Sequence, residues 1–408
     1  MAAGNFETAY GSNYDDTITA VGLSIRVVIN GYDGNDLIYG GDGNDTLRGL
    51  NGDDIVYGGL GNDLLFGGFG ADELYGQDGN DELRIQPSDV VTDGGLGTDL
   101  AYGREATAGL TIDLAASSFE TAYGSNFDDT ITAVGLSIPV VINGYDGNDV
   151  LTGGDGNDTL RGLDGDDIIY GGLGNDRLFG NAGADELYGQ DGNDELRIQP
   201  SDVVTDGGEG TDLAYGLEAT AGLTIDLAAS SFETAYGSNY DDTITAVGLS
   251  IPVVINGYDG NDVLTGGDGN DTLRGLNGDD IVYGGAGNDL LYGNEGADEL
   301  YGQDGNDQLR IQPSDVVTDG GEGTDLAYGL EATAGLTIDV AAGNFETVYG
   351  SNYDDTITAV GVNYPVVITG FDGSDNITVA PTASGETITV NASGPENISE
   401  LILSLIHI

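Results

Sequence analysis

Along residues 31–84 one aliphatic side chain returns every nine positions: Ile38, Leu47, Val56, Leu65, Leu74 and Leu83. Each stands at the centre of about three residues, enough for one short strand whose middle side chain points inward. The six residues between strands spell Gly-Gly-x-Gly-x-Asp or a close variant, as in Gly40-Gly41-Asp42-Gly43-Asn44-Asp45 and Gly58-Gly59-Leu60-Gly61-Asn62-Asp63. Glycine tolerates backbone angles that a Cβ forbids, so these six residues can make a tight turn with carbonyls aimed inward. Short strands alternating with such turns predict an all-β solenoid, in which repeats bury their apolar faces against one another. Two nonapeptides complete one coil, so residues 18 apart stack and the ninth positions fall into two rows. Tyr39, Tyr57 and Tyr75 form one, and Arg48, Phe66, Arg84 and Tyr102 the other.

The whole arrangement repeats with an outer period of 113 residues, seen at Gly31, Gly144, Gly257 and Gly370, each of which opens an array. Arrays are expected over 30–85, 143–198 and 256–311, separated by linking β-solenoid segments at 86–142 and 199–255. Partial linking strands occupy 1–29, and a linking segment with a partial fourth copy occupies 312–378. The linking sequence "AGLTIDLAA" alternates apolar and polar residues, which predicts strand, and no stretch carries a helical period. Residues 379–402 read as a divergent β segment. The tail at 403–408 reads as translated read-through of a sequencing adapter, and Met1 falls mid-repeat, so we expect a fragment of a longer chain.

Charge sharpens this picture. The 408 residues hold 9 basic and 71 acidic side chains, a formal charge of −62, and every basic residue is Arg. Such a field repels phosphate, so nucleic acid and anionic lipid are unsuitable partners, whereas cations are attracted. There is no cysteine, which excludes disulfides and thiolate metal sites. No stretch approaches the roughly 18 apolar residues of a membrane-spanning helix. A turn rich in oxygen donors and repeated at fixed spacing suits a hard divalent cation, with calcium the first candidate.

Six uninterrupted nonapeptides per array, eighteen in three runs, resemble the RTX (repeats-in-toxin) calcium-binding repeats of exported Gram-negative bacterial proteins. The resemblance covers nearly all of residues 1–378. It implies a parallel β-roll, or β-helix solenoid, with calcium ions between turns, held by sixth-position aspartates and turn carbonyls two repeats apart. Carried onto this chain, the ligands are Asp36, Asp45, Asp54, Asp63, Asp72, Asp81 and Asp99 in the first copy. In the second they are Asp149, Asp158, Asp167, Asp176, Asp185, Asp194 and Asp212. In the third they are Asp262, Asp271, Asp280, Asp289, Asp298, Asp307 and Asp325, and Asp375 begins the fourth. Tyr32, Leu50, Gln77, Asn181 and Asn294 replace the second glycine, which we expect to weaken those turns. The resemblance also implies type I export machinery as a partner and a secreted or cell-surface location.

Competing readings are weaker. Plain turn chemistry explains Asp in a turn, but not Asp at one slot every nine residues. The aromatic and arginine rows read as cross-strand stacking, with a face for cell-surface glycans or matrix as the alternative. Pairs such as Asp15-Asp16 and Asp53-Asp54 recur in every copy, whereas catalysis needs one constellation, so no catalytic residue is assigned. Two carboxylates ~5 Å apart repel by roughly 3 kcal/mol at an effective dielectric of 20. Binding and folding are therefore expected to be one event. The expected function is a non-enzymatic calcium-binding repeat region of a secreted or surface protein, most simply an adhesin-type structural module. The alternative is the folding and secretion module of an exported hydrolase, toxin or polysaccharide epimerase.

Overall fold

The computed structural model describes residues 7–380, 387–391 and 398–403. The start of the predicted 1–29 segment, parts of the divergent segment and residues 404–408 of the adapter-like tail lie outside them. Two compact units are present, residues 1–212 and 213–408.

In both units short strands alternate between two faces of a parallel coil. In the first array they are Leu37–Tyr39, Thr46–Asn51, Ile55–Leu60, Leu64–Phe69, Glu73–Asp78 and Glu82–Arg84. The predicted stacking is observed: Ile38 pairs with Val56 and Val56 with Leu74, while Leu47 pairs with Leu65 and Leu65 with Leu83. All six of these side chains are fully buried, each clamped between its equivalents one coil above and below. A one-residue slip would turn the whole column outward, so the register is strongly specified.

In the first unit, one face is a continuous parallel sheet from Thr8–Tyr10 to Glu195–Arg197. The other face is two sheets, Thr17–Thr19 to Val91–Leu96 and Thr111–Asp113 to Val204–Glu209. The second unit has the same design, with its divided face running from Thr224–Asp226 to Val317–Asp319 and from Thr337–Asp339 to Ile398–Leu403.

Linking coils are longer than array coils. Thr121 stacks on Leu100 and Thr130 on Thr111, steps of 21 and 19 residues where an array takes 18. The extra chain carries Phe119, Phe232 and Phe345, the bulkiest fully buried side chains among the described residues. One expectation is corrected here. Leu114–Ser117 forms a single turn of α-helix, because the Asp113 carboxylate accepts from the Ala116 N–H and Ser118 closes the turn at φ 55°. No helix among the described residues is long and apolar enough to cross a membrane.

Candidate metal centre

Each of the 22 aspartates singled out above is buried, none more than 3% exposed. The chain's own backbone satisfies one oxygen of each stacked carboxylate. Asp54 Oδ1 accepts from the Asp36 N–H at 2.7 Å, and Asp72 Oδ1 from the Asp54 N–H at 2.8 Å. On the opposite edge Asp63, Asp81 and Asp99 accept from Asp45, Asp63 and Asp81, each at 2.7 Å. Arrays two and three repeat both ladders.

The second carboxylate oxygen is the unusual atom. Oδ2 is buried without a hydrogen-bond partner in Asp36, Asp54, Asp63, Asp72, Asp81 and Asp99, and in their counterparts in the other two arrays. A buried anionic oxygen without a donor is costly, and its repetition calls for a counter-charge. The turn glycines make room for one. A Cβ on Gly58 would lie 2.5 Å from both Asp63 Oδ2 and the Gly76 carbonyl oxygen, so two acceptors converge on the space a side chain would fill. A Cβ on Gly49 would likewise meet Asp54 Oδ2 and, at 2.7 Å, the Gly67 carbonyl oxygen. Oxygen-only cradles of this kind fit a hard cation. Among the described residues no three acidic or histidine side chains converge.

The electrostatics agree. Burial, with the charges of Asp72 and Asp36 added, raises the Asp54 carboxyl to about 7. Asp63 is raised to about 7 by burial and by Asp81 and Asp45, and Asp167 to about 8 by burial and its stacked neighbours. Their anionic forms are penalised in the folded chain until a cation offsets them.

A family model of RTX calcium-binding nonapeptide repeats matches residues 30–65, 57–84, 143–178, 170–197, 254–282 and 274–309. These arrays are RTX calcium-binding repeats. No curated protein matches the chain. The matched RTX stretches end at 84, 197 and 309, so Asp99, Asp212, Asp325 and Asp375 lie beyond them. The first three nevertheless carry the same orphan Oδ2. Asp375 is equally buried, accepts from the Asp355 N–H at 3.1 Å and is raised to about 6, chiefly by burial.

The RTX aspartates are not all alike. Asp45 has both oxygens engaged, Oδ1 by the Val27 N–H and Oδ2 by the Gly41 N–H, at 2.8 and 2.7 Å. Asp158 and Asp271 repeat this. Each follows a linking loop, whose different path leaves its second glycine outside the left-handed region. By contrast Tyr32, Leu50 and Gln77 hold the left-handed turn at φ 86°, 90° and 77°, close to the range of glycine-built turns. That costs about 1 kcal/mol or more per site, yet Asp36, Asp54 and Asp81 behind them keep the orphan oxygen.

Sequence reasoning missed two residues. Glu120 and Glu346 close one column, their Oε2 accepting from the Asp99 and Asp325 N–H groups at 2.8 Å. The recurring Phe-Glu-Thr in each linking segment was the available signal, hidden because a longer coil shifts it out of the nine-residue phase. The ninth-position rows behave as stacking predicts: Tyr39, Tyr57 and Tyr75 lie 4.9 and 4.8 Å apart, and Arg84 sits 3.6 Å over Tyr102.

Proposed function

We propose that this chain is a calcium-loaded β-roll whose ions lie between turns two repeats apart, each shared by stacked sixth-position aspartates and turn carbonyls. The carrying observation is the column of buried Oδ2 atoms that have no donor and face glycine-lined space. Binding neutralises the acidic edges and lets the aliphatic columns close, so the module folds where calcium is abundant. On this reading it belongs to a secreted or cell-surface bacterial protein exported unfolded and serves there as an adhesin-type spacer. Near-identical 113-residue modules favour a spacer over a unique active region.

Calorimetric calcium titration of the parent, Asp54→Ala and Asp63→Ala tests the ligand assignment. Each variant is expected to lose the ions its aspartate shares while the other arrays bind normally. Parent-like titrations in both variants would overturn the assignment.

A further inference from the structure

The first array's column of Asp36, Asp54 and Asp72 should end at position 90, which is Val90. It does not end there. The turn Gln86-Pro87-Ser88-Asp89 lacks glycine and closes on itself, Asp89 N–H donating to the Gln86 carbonyl at 3.1 Å and Gln86 N–H to Asp89 Oδ2 at 2.8 Å. This delivers Asp89, one residue out of phase, to the next rung. The neighbouring Val90 N–H donates to the Asp72 carbonyl at 2.9 Å, which sets Asp89 beside Asp72.

The same geometry recurs at Asp202 above Asp185 and at Asp315 above Asp298. In each pair the lower aspartate is 0% exposed with Oδ2 unpartnered, and the upper has a buried, unpartnered Oδ1. In the third copy, as in the others, Asp298 Oδ2 and Asp315 Oδ1 are the oxygens left without a donor, while the Val316 N–H donates to the Asp298 carbonyl at 2.9 Å. In all three arrays two neighbouring carboxylates each keep one buried oxygen without a donor, and such a pair calls for a shared cation.

We propose that Asp72 with Asp89, Asp185 with Asp202, and Asp298 with Asp315 each hold a further divalent cation, closing one edge of every array outside the nonapeptide motif. This rests on calcium binding by the arrays and adds one ion per module. The Pro-containing turn then acts as a terminal cap: it supplies the last ligand while its own turn needs no metal.

The test is a count of calcium per chain by atomic emission at saturating calcium, with circular dichroism verifying the fold. The triple variant Asp89→Asn, Asp202→Asn, Asp315→Asn is expected to hold three fewer ions than the parent. A control triple, Asp78→Asn, Asp191→Asn, Asp304→Asn, removes the same charge from exposed sites and is expected to keep the parent count. The single Asp89→Asn retains an oxygen for the Gln86 N–H, guards against misfolding and is expected to lose one ion. An unchanged count in the Asp89 variants means that a proton bridges the pair and overturns the proposal, as does loss of a whole array's ions. Absence of calcium from the parent would instead sink the function proposed above.

Discussion

Two turns of the same coil position solve the same problem in opposite ways. In the linking turn Gly124-Ser125-Asn126-Phe127-Asp128-Asp129, the buried Asp129 receives the Ser125 N–H at 2.6 Å, the Ser125 hydroxyl at 2.9 Å and the Leu110 N–H at 2.6 Å. Ser238 with Asp242 and Ser351 with Asp355 repeat this closure. In the array turn, Gly59 takes φ 118° and Asp63 is left with an unpartnered Oδ2. The Ser125 N–H donates to the oxygen, Oδ2, that the Gly59 turn leaves without a donor, as the Gly41 N–H does for Asp45, and the serine hydroxyl adds a bond to Oδ1. The linking-turn aspartates are thus satisfied from within, whereas most array aspartates keep one buried oxygen without a donor.

The largest effect that would break this comparison is metal removal. In excess chelator near pH 8, hydrogen exchange is expected to show lost protection throughout the arrays, with residual protection around Phe119 to Thr132. Equal loss in both regions would remove the distinction.

Acid should partly substitute for metal. Folded-state values of about 7 for Asp54 and Asp63 stand above an ordinary 3.8, so the folded chain binds more protons than the unfolded one between those limits. Stability of the metal-free arrays is therefore fully present below about pH 4 and falls as pH rises through 7. A chelated sample taken from pH 8 to 4 should gain β signal by circular dichroism, while calcium affinity weakens over the same descent through proton competition. A flat response would argue that these carboxylates are not desolvated.

The smallest effect sharpens the contrast. Ser125→Ala removes one buried hydroxyl donor from Asp129 and should cost about 1–3 kcal/mol, read as faster exchange at residues 121–132 with and without calcium. The number of ions bound should not change.

The period of nine by itself carries much of the fold. It places Ile38 over Val56 and Leu47 over Leu65, sorts tyrosines from arginines, and selects 22 aspartates that all prove to be buried. Asp45 and Asp63 share one motif, yet the first is satisfied by the Gly41 N–H and the second is not, because different coils precede them. Asp89 and Glu120 escaped notice for the complementary reason: both enter a column from outside its phase.

Periodicity determines which residues stack, because a fixed coil length is a local property that the chain states directly. Whether a stacked carboxylate is left needing a partner depends on where neighbouring coils aim their N–H groups, and those directions arise only when coils of unequal length settle on one another.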